Sequence, residues 1–286
     1  MKYRFIKSCA ERLPVEDLCN YLGVARSGYY KWLKQAPGRR AQDDEQLGAV
    51  IEAEFHKHRK TYGSPRMCDR LRELGRRHGR RRVSRLMAKR TLIACKTKRF
   101  VRTTVADPTK QPAPNVLNRE FTADKPNRKW VSDITEIPTD EGALYLAVTL
   151  DLWSRMIVGW AIRATMEEEL VQQAFDMAVQ QRWPDAGLLH HSDRGSQYTA
   201  NGFRGQLRQR QVVESNSRKG NVWDNAAMES FFSSVEMELL RQKHFTTKAQ
   251  AMQEVFIYIE VFYNRQRIHS ACGGRSPAEF EKACGN

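Results

Sequence analysis

Apolar positions recur at helical spacing up to about Arg102 and change to strand-like alternation and short apolar runs beyond residue 119. In residues 14–34, PVEDLCNYLGVARSGYYKWLK, Leu18, Leu22 and Val24 surround Gly23 and are followed by Tyr29, Tyr30 and Trp32. This pattern predicts a short helix, a glycine turn and a second helix, a helix-turn-helix arrangement. A second such unit follows, with a helix at Ile51–Lys57, a turn at TYGSPRM in which Pro65 sets up the next start, and a helix at Arg66–Leu74. Gly79 interrupts the pattern, and RRRVSRLMAKRTL then places Val83, Leu86 and Met87 on one helical face with arginines on the other. Residues 103–118, TTVADPTKQPAPNVLN, are proline-rich and aperiodic, which marks a linker.

Three strands are predicted after the linker. WVSDITEI alternates, ALYLAVTLDLWS is almost continuously apolar, and MIVGWAIRA follows directly, as in three sequential antiparallel strands. MEEELVQQAFDMAVQQR reads as an amphipathic helix with acids in its first turn, where the helix dipole favours them. LLHHSD is a fourth strand, FRGQLRQRQ a helix, VVESN a fifth strand, and Asn225–Leu240 a helix capped by Asp224 or Asn225. Lys248–Tyr263 forms a further helix with Phe256, Ile259, Phe262 and Tyr263 in the core. This order predicts an α/β fold of the RNase H-like type, a five-stranded mixed sheet flanked by helices and preceded by small all-α units. The expected divisions are 1–46 (helix-turn-helix-like), 47–102 (basic, helical), 103–118 (linker) and 119–286 (α/β core with a helical tail).

Composition narrows the class. With 286 residues, 41% hydrophobic and 28% charged, the chain reads as a soluble globular protein of about two domains, without a membrane span or secretory leader, and a cytosolic location is expected. The six cysteines include no CxxC pair, so reduced, mostly buried thiols are expected, and no cysteine pair accompanies His56 and His58 at zinc-ligand spacing. The net charge is +15, and between Lys57 and Arg102 eighteen Lys and Arg face only Asp69 and Glu73. Essentially the whole positive excess lies in that segment, which would lose self-repulsion on a phosphate backbone. Arg66, Arg70, Arg80, Arg81, Arg82, Arg85, Lys89 and Arg90 are therefore candidate DNA contacts.

Three acids stand where chain pattern alone does not require them. Asp133 shares a strand face with Val131, Thr135 and Ile137, which points a charge toward the core side. An unpaired buried carboxylate costs several kcal/mol, so such a group needs a base, an amide or a metal. Asp193 ends the fourth strand in LLHHSDRGSQY, and Glu229 lies one turn into a helix among Ala226, Ala227, Met228, Phe231 and Phe232. Mg²⁺ takes oxygen ligands and a few carboxylates, and two such ions activate an attacking oxygen and stabilise a leaving one at phosphorus. A first-strand Asp, a fourth-strand Asp and a helix Glu meeting at one end of a sheet would supply that site.

The stretches KWVSDITEI, HHSDRGSQYTANGF and DNAAMESFF, with thirty-five residues between Asp193 and Glu229, resemble the D,D(35)E signature of retroviral-integrase-like transposases. More narrowly, the chain resembles the catalytic second-frame product of insertion sequences of the IS3 type, to which the tail YNRQRIHSACGGRSPAEFE and the TYGSPRM segment are also similar. The resemblance implies an Mg²⁺-dependent polynucleotidyl transferase in which Asp133, Asp193 and Glu229 hold two ions once DNA is bound, Mn²⁺ substituting. It implies cleavage of element ends and strand transfer into target duplex DNA by a homo-oligomer. It also implies fusion or partnership with an upstream first-frame product, and a bacterial, nucleoid-associated location on DNA. Asn225 either orients Glu229 or caps the helix, and Arg194, Arg218 and Lys219 either touch DNA or are solvated. Asp151, in LDLWSR, is read as structural. The family usually carries a base seven residues after the Glu, whereas this chain has Glu236, so a weakened DNA contact is expected there, offset by Arg241 or Lys243. Two other classes remain open: a catalytically inactive DNA-binding regulator derived from a transposase, and a nuclease acting on RNA hybrids.

Overall fold

The computed structural model describes residues 2–34, 38–94, 111–219 and 221–284, with the side chain of Val222 excepted. Residues 103–110 of the expected linker lie outside the described residues. The chain forms two compact units, Met1–Ile51 and Glu52–Asn286. In the first, α1 (Lys2–Cys9), α2 (Val15–Tyr21) and α3 (Arg26–Lys34) enclose Ile6, Leu18, Cys19 and Tyr29. Gly23 turns between α2 and α3 at φ +59°, a conformation that costs glycine little, so the expected helix-turn-helix geometry forms. Helix α4 (Arg39–Lys57) starts well before the expected Ile51.

The second unit opens with two helices of the basic segment, α5 (Ser64–Glu73) and α6 (Arg80–Lys89), which bury Met67, Leu71, Val83, Leu86 and Met87. Its sheet contains β1 (Lys129–Ile137), β2 (Leu144–Asp151), β3 (Ile157–Arg163), β4 (Leu189–Ser192) and β5 (Val213–Asn216), in the order β3-β2-β1-β4-β5. Strands β1 to β3 pair antiparallel, and β4 and β5 add in parallel beyond β1. Helices α7 (Glu168–Arg182) and α8 (Asn201–Gln209) connect β3 to β4 and β4 to β5. One sheet face packs Trp130, Ile134 and Val158 against Phe175 of α7 and Phe203 of α8. Helix α7 approaches so closely that a Cβ on Gly159 of β3 would collide with the Ala174 carbonyl and Ala178.

The opposite face packs Val131, Leu146, Val148 and Leu150 against α9 (Ala226–Val235) and α10 (Lys248–Phe256). Both helices widen into π-helical stretches, Glu236–Leu240 and Ile257–Tyr263, and α11 (Pro277–Cys284) closes the described chain. Ile259, Phe262 and Tyr263 are buried as expected, whereas Phe256 is half exposed, with its ring against Trp160 of β3. The turn between α4 and α5 is fixed to the π-helical end: Tyr62 is buried, its hydroxyl accepts from the Ile268 amide at 3.0 Å, and Arg59 lies over the Phe262 ring. Among the described cysteines all are free, and only Cys19 and Cys272 are buried, so thiol burial is less general than the sequence implied. No described helix is long and apolar enough to cross a membrane.

Candidate active site

Strand pairing delivers the first two acids to one place. β1 and β4 run parallel with Ser132 beside Ser192, so Asp133 and Asp193, each one residue further, emerge side by side. The layer beneath them is polar but fully paired. Ser132 Oγ lies 2.9 Å from Thr149 Oγ1 and 2.8 Å from His190 Nε2. His191 bonds Ser215 through Nδ1 and Ser217 through Nε2. Burial holds both imidazoles neutral, His190 lowered to about 3 and His191 to about 4. The HHSD histidines are therefore struts of the sheet that set the exit of β4.

Asp133 accepts the Ile134 amide at 2.8 Å and Nδ2 of Asn225 at 3.0 Å, and Asp193 accepts the Gly195 amide at 2.9 Å. Burial first and the Asp193 charge second push the Asp133 carboxyl well above its usual range, with Glu229 adding further repulsion. Burial alone raises Glu229, half-buried on α9. Asn225 thus contacts Asp133 rather than Glu229, and its side chain caps no helix. Asp224 is not a cap either. It is buried and held far below the carboxylate range by Arg218, with Arg119 and Asn115 also donating to it.

Two atoms here lack partners, the buried Asn225 Oδ1 and the Tyr198 hydroxyl. Tyr198 lines a small cavity with Asp133 and Asp193, and burial together with the two acids pushes its hydroxyl pKa far up. The sequence reasoning missed Tyr198, and its only signal was an aromatic five residues past Asp193. The donor chemistry suits a hard divalent ion: carboxylate oxygens repel one another in a partly dry notch, next to an acceptor and a hydroxyl without partners. Among the described residues, however, no three His, Cys, Asp or Glu side chains lie close enough together to hold a metal ion.

The basic candidates separate by surroundings. Arg80, Arg81, Arg85 and Lys89 are exposed along α6, and Arg82 is half-buried. Arg70 pairs with Glu54 at 2.7 Å and Glu73 at 2.8 Å, and Arg90 pairs with Glu52. Arg66 approaches Glu238 to 4.0 Å and lies over Tyr62. Arg194 donates to the Ser217 carbonyl, Arg218 closes on Asp224, and Lys219 is exposed. Asp151 is structural: fully buried, it accepts the Asn127 and Trp153 amides and faces Arg182. Glu236 pairs with Arg241 at 2.9 Å, and Lys243 pairs with Glu254.

Family models identify the core: one described as an integrase core domain matches residues 123–222, and a second of that description matches 229–283. An HTH-like domain matches residues 41–100. The chain is 43% identical to an IS600 insertion-element protein of Shigella sonnei, over 93% of this chain and 97% of that one. It is 37% identical to the transposase InsF of insertion sequence IS3A of Escherichia coli, over 98% of each chain. It is also 40% identical to the IS904 transposase of Lactococcus lactis, over 87% of this chain and 99% of the relative. The chain belongs to the insertion-sequence transposases of the IS3 type.

Proposed function

We propose that the chain is a DNA transposase that cuts the ends of an insertion sequence and joins them to target DNA, with Asp133, Asp193 and Glu229 holding two Mg²⁺ ions, for which Mn²⁺ substitutes. The observation that carries this reading is the Asp133–Asp193 pair at the parallel β1–β4 exit, two like charges in a partly dry notch with Glu229 repelling Asp133. Bound ions would supply charge neutralisation at the scissile phosphate and activation of the attacking oxygen. No three-acid group is ready among the described residues, so the reading requires Glu229 to reach this pair when DNA is bound. Asn225 is a positioning residue that fixes the Asp133 carboxylate through its Nδ2 donor.

The HTH-like segment and the exposed bases of α6, Arg80, Arg81, Arg85 and Lys89, support a role in holding duplex DNA, with a homo-oligomer and an upstream first-frame product as partners. Arg66, Arg82, Arg194 and Lys219 belong to the same proposed contact set. Arg70, Arg90 and Arg218 reach DNA only by leaving acidic partners.

The test is cleavage of labelled duplex carrying the element's end, with and without Mg²⁺. Cleavage by the wild type that Asp133→Asn, Asp193→Asn and Glu229→Gln each abolish is expected. Unchanged cleavage in any of the three variants overturns the site assignment, and DNA binding with no Mg²⁺-dependent cutting by the wild type overturns the reading in favour of the DNA-binding regulator.

A further inference from the structure

A cavity of about 320 Å³ lies outside the carboxylate notch, against the neighbouring face of the Glu229 helix. Ala226 and Ser230 form one wall, Arg267 and His269 of the C-terminal tail another, and Arg66 and Arg155 the rim. Among the described residues no acidic side chain lines it. Glu238, the nearest acid to Arg66 at 4.0 Å, is already occupied by Arg267 and by the Tyr258 hydroxyl. Arg267 in turn spends its donors on Glu238, Ser234 and His269. Arg66, with 46% of its side chain exposed, lines the cavity and keeps only the long 4.0 Å contact with Glu238. Arg155 is held on the rim by a left-handed backbone, φ +62°, and donates one bond to the Phe121 carbonyl. After burial, Arg267, Arg66 and Arg155 are what hold His269 well below its ordinary pKa, so three guanidiniums act on this wall.

A cavity of this size falls at the lower end of pockets that accept small ligands, and its rim offers guanidinium donors of the kind that grip phosphate. Ser230 immediately follows Glu229, so a phosphate seated here lies one residue of helix from the proposed ion-holding carboxylate. We infer that this cavity binds one nucleotide of the DNA strand, its phosphate on Arg66 and Arg155. The tail motif YNRQRIHS thereby gains a role: Arg267 and His269 shape the wall, and Arg267 keeps Glu238 from neutralising Arg66. The inference rests on the proposed DNA-processing role and deepens it.

The experiment is equilibrium binding of the full chain, in the presence of a chelator, to a labelled duplex carrying the element's end, with single methylphosphonate substitutions moved along each strand. In the wild type, neutralising the one phosphate that enters the cavity should weaken binding about tenfold. In Arg66→Ala, and in Arg155→Asn, which tolerates the left-handed backbone, that position should cost little further, and the salt dependence should fall by about one phosphate contact. Arg66→Lys keeps the charge and should recover most of the affinity. Methylphosphonate penalties that add in full to those of Arg66→Ala at every position overturn the inference, as does unchanged binding by both variants. Because no divalent ion is present, this result is independent of cleavage: loss of DNA cutting leaves the cavity assignment standing, and additive penalties leave the cutting assignment standing.

Discussion

Two sites in the core unit, one around Glu238 and one around Asp133, illustrate opposite solutions to one electrostatic problem. Glu238, with 3% of its side chain exposed, accepts Arg267 Nε at 2.8 and 3.0 Å and the Tyr258 hydroxyl at 2.9 Å. The two π-helical stretches that carry Glu238 and Tyr258 let these groups meet. Asp133 has another acid beside it instead of a base, and its neighbours include an amide oxygen and a tyrosine hydroxyl without partners. The first cluster is complete as folded and serves the packing. The second is left short of positive charge, which is what a site that takes up a cation needs, and the folded chain carries the cost through its other contacts.

Removing charge should therefore act in opposite directions at the two places. Asp133→Asn is expected to cut Mg²⁺-dependent cleavage by about 10³-fold or more, equivalent to roughly 4 kcal/mol in the barrier, while thermal unfolding without divalent ions shows no loss of stability. Glu238→Gln leaves Arg267 uncompensated and should cost about 3–5 kcal/mol of stability, read as a lower denaturant midpoint. A destabilised Asp133→Asn, or a Glu238→Gln chain as stable as the parent, breaks the contrast.

Titration with Mg²⁺ sharpens it further. With the element-end duplex bound, ion binding to the folded state alone stabilises by about 2.7 kcal/mol at a hundredfold excess over Kd, so the melting temperature of the wild-type complex should rise by several degrees and that of the Asp133→Asn complex should not. An equal rise in both would place the ion elsewhere.

The polar layer beneath the acids gives a smaller, pH-dependent effect. His190 and His191 have folded-state pKa values lowered to about 3 and about 4, against about 6.5 when unfolded. The unfolded chain then binds more protons between these limits, so their contribution is complete above about pH 6.5 and is eroded as pH falls toward 4. The slope is at most about 1.4 kcal/mol per pH unit for each histidine. Urea unfolding across this range should show that slope, and His191→Asn should flatten it; an unchanged profile would mean that the imidazole is not neutral in the fold.

The smallest effect concerns Glu236. Its pairing with Arg241, both about one third exposed, already cancels most of the repulsion expected from an acid at that position, and such pairs contribute about 0–1 kcal/mol. Glu236→Lys should raise DNA affinity and strand transfer by only a few-fold, with no gain in either removing the idea of a weakened contact.

The element order was legible in the sequence because it follows from local rules, and the three candidate acids were singled out there by their combination and the family resemblance. Period-two alternation and a nearly continuous apolar run define β1 and β2, and a charge on an apolar strand face identifies Asp133. Helical periodicity cannot distinguish α from π winding, so it gave one helix at Asn225–Leu240 where the chain widens at Glu236. Side-chain partners more than a few residues apart were equally invisible. Asp224 and Asn225 looked like interchangeable caps, yet one closes on Arg218, Arg119 and Asn115 and the other on Asp133.

By itself the sequence determined the sheet's composition and the basic helices, since each depends on neighbours along the chain. Only the tertiary structure decided which charges are spent. It matched Glu238 to Arg267, placed Asp133 next to Asp193 through the register of a parallel pair, and left Arg66 facing a cavity. The physical reason is that the energy of a charge is set by what surrounds it in space, through burial and opposing charge, and chain order carries no record of either.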